Sequence, residues 1–241
     1  WIKSAVKNKN KLDYNVKKCW NEYKNLEKFE LKNNKERDLT RKGGHLMYLG
    51  KLTNLKEIEL DNVTYIDYLP KSISKLTELM SITVDNCKQF KFLPETIGDL
   101  NALITLTINN CEKLEKLPES IGNLNALTTL RINNCERFEK LPDSIWKLTS
   151  LKDLDLGPFL KIINLSDSIS SLTALKALKI SDCERSKQVP EDCVTTRGTR
   201  LTKENAIAKD GRTYLVYKNF SPEACRKRNT HRRNLKEDGY I

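Results

Sequence analysis

Seven cysteines and two histidines are the side chains of this chain best suited to nucleophilic or metal chemistry. Cys87, Cys111 and Cys135 are evenly spaced, and Cys183 follows at twice that interval. Zinc ligands come in close pairs, often with His. His45 and His231 stand far apart near the two ends, so no metal site is expected. G-x-S-x-G, P-loop and H-E-x-x-H motifs are absent. His45, in RKGGHLMYL, has no nucleophile to serve. Cys193 and Cys225 lie in a C-terminal stretch of about 50 residues, too short for a separate catalytic core. The expectation is a protein without catalytic or cofactor chemistry.

The even cysteine spacing leads to the elements that set it. NALITLTINNCEKLEKLPESIGNL (101–124) is followed directly by NALTTLRINNCERFEKLPDSIWKL (125–148), which defines a 24-residue period. Units 53–76 and 77–100 obey it upstream, 149–172 follows, and a last copy runs to Val189-Pro190. A looser copy, NLEKFELKNN (25–34), precedes them. Its Leu26 corresponds to Leu55, a wider interval than the period, so it carries a longer loop. Within the third unit, Leu106 and Ile108 alternate as in a strand and must point inward, leaving Thr105, Thr107 and Asn109 outward. Leu114, Leu117, Ile121 and Leu124 supply further inward anchors through a turn and a short return segment. One unit cannot cover its apolar side alone, so the units must stack. Val63 and Phe159 take the cysteine position in two units, and a place open to Cys, Val or Phe is buried and apolar. Free buried thiols suggest a reducing compartment. Cys19, Cys193 and Cys225 stand outside this ladder.

The unit LxxLxxLxIxNCxxLExLPxSIGNL resembles plant-specific leucine-rich repeats, above all those of intracellular nucleotide-binding immune receptors. The likeness covers roughly residues 25–193. It implies an α/β solenoid with a curved parallel sheet on its concave face and short helical or irregular segments behind. It also implies recognition of a protein or peptide ligand. Similar repeats occur in effectors that pathogens deliver into host cells, and that alternative stays open. Two departures mark the fifth unit: Gly157-Pro158 replaces Asn-Asn, and Leu165-Ser166 replaces Leu-Pro.

The outward strand positions are the expected binding surface. They comprise Glu57, Glu59 and Asp61; Ser81, Thr83 and Asp85; Thr105, Thr107 and Asn109; Thr129, Arg131 and Asn133; Asp153 and Asp155; and Lys179. Lys28, Glu30 and Lys32 begin the series. Two acidic groups flank a Thr/Asn strip, which suits a basic peptide or protein surface. A solvated polar face with no partner accounts for the same residues. Tyr65, Tyr68, Phe92 and Trp146 fall in the turns, where local packing explains them better than anchoring does.

Residues 1–24 read as an N-terminal helical cap, 25–193 as the solenoid and 194–241 as a basic C-terminal cap or tail. In the tail, AIAKDGRTYLVY (206–217) reads as a hairpin turning at Asp210-Gly211. Ser221-Pro222 reads as a helix start, placing Arg226, Lys227, Arg228, Arg232 and Arg233 in a basic cluster. The net charge of +11 sits at the ends: +8 over residues 1–51, −2 over 52–190 and +5 over 191–241. A near-neutral middle disfavours nucleic acid along the repeats, which would need a continuous cationic track. A nuclear or nucleic-acid role through the basic ends is the remaining alternative. No run of about 18 apolar residues exists to span a membrane. The start at Trp1 without a signal sequence suggests a fragment or processed form, and the expected location is cytoplasmic or nuclear.

Overall fold

Nothing in one unit is long enough to fold alone: each strand is short and has one apolar side. The computed structural model shows how stacking solves this. It describes residues 25–35, 45–157, 171–181, 203–207 and 213–218. Strands β1 (Lys28–Lys32), β2 (Glu57–Asp61), β3 (Ser81–Asp85), β4 (Thr105–Asn109), β5 (Thr129–Asn133), β6 (Asp153–Leu156) and β7 (Ala177–Ser181) form one parallel run. β1 meets β2 at Lys28↔Glu57, the wider offset foreseen for the early copy. Every later pair keeps the regular period, as in Glu57↔Ser81 and Thr105↔Thr129. This is a leucine-rich-repeat solenoid.

The return segments are single 3-10 turns: η1 (His45–Lys51), η2 (Lys71–Lys75), η3 (Glu95–Asp99), η4 (Glu119–Asn123) and η5 (Asp143–Lys147). From η2 to η5 a proline precedes each turn in extended conformation, as Pro94 does with φ −70° and ψ 152°. Its carbonyl accepts the N–H three residues on, Ile97 to Pro94 at 2.9 Å. Proline's locked φ suits that entry, and its missing N–H costs nothing there. Glycine matters at three of these turns for a different reason. A Cβ on Gly50 would run into the Ser72 carbonyl oxygen, one on Gly98 into that of Ser120, and one on Gly122 into that of Ser144. Adjacent turns therefore touch backbone to backbone.

Between strand and turn lies one continuous core. Leu103, Leu106, Ile108, Cys111, Leu114, Leu117, Ile121 and Leu124 are all buried in the third full unit, and the same places are buried in its neighbours except Leu141, which is partly buried. Burying one such side chain contributes roughly 1.5–3 kcal/mol. Each unit contacts only the one before and the one after, so this stabilisation accrues by stacking.

The sheet does not stay parallel to its end. β8 (Lys203–Ile207) and β9 (Thr213–Lys218) form the foreseen hairpin, beginning earlier than the sequence suggests. β9 pairs antiparallel with β7, Ile180↔Leu215 among others, giving the order β1-β2-β3-β4-β5-β6-β7-β9-β8. The hairpin thus covers the β7 edge with backbone pairing. The expected N-terminal helical cap, the Asp210-Gly211 turn, the helix at Ser221 and the basic cluster from Arg226 to Arg233 lie outside the described residues.

Candidate binding surface

Because inward and outward residues alternate, the outward side chains form three rows across the strands. One row runs Lys28, Glu57, Ser81, Thr105, Thr129, Asp153, and the second Glu30, Glu59, Thr83, Thr107, Arg131, Asp155. The third runs Lys32, Asp61, Asp85, Asn109, Asn133. Neighbours in a row stand about 4.8 Å apart, the strand spacing. Lys179 continues the second row by its backbone register opposite Asp155. The sequence-predicted residues therefore do share one face.

The structure changes the electrostatics of that face. Lys28 reaches Glu59 at 2.9 Å and Glu57 at 3.4 Å. Lys32 reaches Glu59 at 2.8 Å and Glu30 at 3.3 Å. Glu59 is the hub, and the hydrogen bonds from Lys32 and then Lys28 hold its carboxyl below the usual range. The same contacts raise both lysines. Part of the first acidic group is thus neutralised by β1, which the long separation along the chain hides from sequence. Asp61 and Asp85 also have internal work, accepting from the side-chain amides of Asn86 at 3.4 Å and Asn110 at 2.8 Å. Asp153 stands in register between Thr129 and Ala177, and Asp155 between Arg131 and Lys179.

The middle of the face is neutral and tightly set. Thr107, expected outward, is outward by register yet only 9% exposed, crowded by neighbouring strands. Ser81, Thr83, Thr105, Thr129, Asn109 and Asn133 are half-buried, while Arg131 is exposed and forms no ion pair among the described residues. Three of the turn aromatics have packing partners, although Phe92 stays exposed. Tyr68 and Phe92 stack with centroids 5.8 Å apart and planes 2° from parallel, and Trp146 packs on the core.

Sequence reasoning missed one set of residues that shapes this face from its rim. Asn33, Asn62, Asn86, Asn110 and Asn134 all have φ of 52–53°. Asparagine tolerates this left-handed region better than most residues. The Asn62 N–H bonds the Asp85 carbonyl at 2.9 Å, and the Asn110 N–H bonds that of Asn133 at 2.9 Å. Their side chains link too, Asn62 Nδ2 to Asn33 Oδ1 at 2.7 Å and Asn134 Nδ2 to Asn110 Oδ1 at 2.9 Å. The signal was present as an Asn immediately before each ladder position. Asn62 also heads the sequon Asn62-Val63-Thr64; its amide nitrogen is engaged in this ladder.

The cysteine ladder follows directly. Cys87, Cys111 and Cys135 are free and buried. Each thiol donates to the carbonyl two residues back: Asp85 at 3.3 Å, Asn109 at 3.2 Å and Asn133 at 3.3 Å. Each sulfur also receives the backbone N–H at the equivalent place one unit earlier, from Val63, Cys87 and Cys111 respectively. Burial pushes the Cys87 and Cys135 thiols up to about 11, and raises Cys111 as well. These groups are poor nucleophiles. Cys19, Cys183, Cys193 and Cys225 lie outside the described residues. Among the described residues no cluster of metal-ligating side chains occurs, and no helix is long and apolar enough to cross a membrane.

Comparison with solved structures agrees with the architecture. A leucine-rich-repeat protein of Leptospira interrogans is 29% identical with a TM-score of 0.51, over 64% of this chain and 36% of its own. The plant peptide hormone receptor RGFR1, solved in complex with RGF2, is 26% identical over 54% of this chain and 21% of its own, with a TM-score of 0.45. The leucine-rich-repeat domain of the type III effector XopL is 20% identical over 72% of this chain and 77% of its own, with a TM-score of 0.41. The chain thus spans about a third of the length of the Leptospira protein. No protein-family model and no curated protein matches the chain.

Proposed function

We propose that this protein is a non-catalytic interaction module that docks a protein or peptide on the outward strand face between β2 and β6. The observation that carries this is the contrast within each unit. The backbone and the inward residues repeat with one fixed period, while the outward residues change from strand to strand on a rigid register. Such a surface can be varied without disturbing the core, as a recognition surface requires. A basic partner suits it. The three rows with Lys179 carry seven carboxylates, from Glu30, Glu57, Glu59, Asp61, Asp85, Asp153 and Asp155, against four cations. The pairing of Glu57 and Glu59 with lysines weakens that attraction, so hydrogen bonding to the Thr/Asn strip and Arg131 contributes more to affinity than net charge. The same acidic excess disfavours nucleic acid on this face.

The repeat signature favours ligand or effector recognition in an immune-receptor-like setting inside the cell. The buried free thiols accord with a reducing compartment. A pathogen effector or scaffold using the same face in a host cell is the second reading, supported by the likeness to a bacterial repeat protein. A nuclear or nucleic-acid-associated role would rest on the basic ends, including Arg226, Lys227, Arg228, Arg232 and Arg233.

The test is quantitative binding by calorimetry to a partner captured with the full chain. Thr83→Arg and Thr129→Arg should weaken affinity about tenfold or more, as bulk does at an interface centre. Lys147→Glu, on the turn side, should leave it unchanged. Equal affinity for all three proteins places the partner elsewhere.

A further inference from the structure

We propose that Met80 and Ile104, where β3 and β4 begin, seat one apolar side chain of the docked segment, and that a basic side chain of the same segment reaches Asp85 and Asp61 where the strands end. This rests on the docking reading of the outward face and names the chemistry of what docks there. The alternation of the strands breaks at their entry. Leu79 and Ile82 are buried, and the two residues between them both lie outward, Met80 exposed and Ser81 half-buried. The backbone shows how the extra outward residue is held. Two successive N–H groups bond one carbonyl of the unit before: Ile104 and Thr105 that of Met80 at 2.8 and 3.0 Å, Thr128 and Thr129 that of Ile104 at 2.9 and 3.1 Å. The carbonyls of Lys56, Thr128 and Lys152 receive the same pair. A fourth outward row therefore crosses the strands at their entry: Lys56, Met80, Ile104, Thr128, Lys152 and Lys176.

Nothing in the fold calls for apolar residues in this row, since lysine and threonine hold the same backbone position at 56, 128, 152 and 176. Yet Met80 and Ile104 stand side by side, about one strand spacing of 4.8 Å apart. Met80 is 41% exposed, and Ile104 is half-buried. The neighbouring Thr128 hydroxyl is taken up by the Ile104 carbonyl at 3.4 Å. Scattered exposed apolar residues are ordinary, whereas adjoining ones on a polar face point to contact. Covering them removes apolar surface from water, and the flexible methionine thioether lets the seat adapt to the side chain it meets.

Charge fixes the direction in which the segment lies. The outward positions run Met80, Ser81, Thr83, Asp85 through β3 and Ile104, Thr105, Thr107, Asn109 through β4, with no cation on either. Their far end is acidic, because Asp61 stands beside Asp85 in register. Each of these carboxylates gives one oxygen to an asparagine amide, and a carboxylate accepts several hydrogen bonds. The near end is flanked by cations. Lys56 is bound to Glu27 at 2.8 Å, while Lys152 and Lys176 form no ion pair among the described residues. A basic group of the segment is thus repelled at the strand entries and attracted at the strand ends. From Met80 to Asp85 is five residue steps, about 16 Å along a strand. In an extended segment, side chains four residues apart share one side and span about 13 Å, and the length of an arginine makes up the rest.

Labelled peptides of glycine and serine, carrying one Leu and, four positions away in either order, one Arg, test this on the full chain. The chain has two methionines, and Met47, on η1, is 42% exposed, so it serves as the control for Met80. With carbon-13 in the methionine methyls, the Met80 resonance should move as peptide is added to millimolar concentration, and that of Met47 should stay still. By fluorescence anisotropy, Met80→Thr with Ile104→Thr should bind the peptide about tenfold more weakly. Both changes install the residue that Thr128 already supplies in the same row, so the fold tolerates them. A peptide with Glu in place of Arg should also bind about tenfold more weakly. Met47 moving as far as Met80, neither methyl moving, equal affinity for the Arg and Glu peptides, or an unchanged affinity of the double variant overturns the seat. The same double variant with the captured partner separates this from the docking reading. If Thr83→Arg weakens that complex and the double variant does not, the face stands and the seat falls; if neither weakens it, both fall.

Discussion

The turn side and the strand face of the same units obey different rules. At the turn, the units from Thr77 to Leu148 repeat Asn then Cys after the strand, and Leu then Pro before the 3-10 turn. On the strand face the same units carry Ser, Thr and Arg at comparable places, and the unit before them Glu. The turn positions answer to the backbone: a left-handed φ, a buried sulfur meeting an N–H, an extended entry residue. Outward positions such as Ser81, Thr83, Thr129 and Arg131 carry no such backbone demand, whereas Glu59, Asp61 and Asp85 also hold side-chain partners within the stack. Variation among units therefore marks where recognition can reside, and uniformity marks where the stack is held. The fifth unit sharpens this, since it departs from the rule on the turn side and keeps its place in the sheet.

The contrast can be broken most forcefully at a close approach. Gly122→Ala puts a Cβ against the Ser144 carbonyl and should cost about 3 kcal/mol in urea unfolding, at the upper end for overpacking. Thr129→Ala, on the outward face, should change stability by less than about 0.5 kcal/mol. Equal losses would erase the distinction. Next, Asn110→Ala should cost about 2 kcal/mol, from left-handed strain and lost ladder bonds. Asn110→Gly keeps the φ and should cost roughly half as much.

A smaller effect is expected at the cysteine ladder. Cys111→Val should cost less than about 1.5 kcal/mol, because volume is nearly kept and Val63 already fills that place. Site-resolved alkylation should label Cys87, Cys111 and Cys135 only as the chain unfolds. The raised thiols fix the sign of the pH dependence. The fold favours the protonated form, so this contribution is complete below the ordinary thiol range. It is lost as pH rises toward about 11 for Cys87 and Cys135.

The smallest effect belongs to Glu59. Its carboxyl is held low in the folded chain, so its stabilisation is present above the ordinary carboxylate range and fades as pH falls through the lowered value. Glu59→Gln should flatten the acid limb of a stability-versus-pH curve. At neutral pH it should change stability by no more than about 1 kcal/mol, as exposed pairs do. A large loss at pH 7 would show that β1 is latched to β2 mainly through charge.

Much of this was legible because a solenoid is nearly one-dimensional. The repeat period, the parity of Leu106 and Ile108 against Thr105 and Thr107, and the burial of Cys111 all follow from spacing and residue type. Local chemistry decides them, and each unit repeats the same local problem. Only the tertiary structure decided the rest. It brought Lys28 and Lys32 onto Glu59, turned an apparent acidic docking group into a partly closed network, and nearly buried Thr107. It also set β9 antiparallel against β7. Those outcomes depend on which side chains and backbones meet across units, and a period read along one chain contains no distance across it.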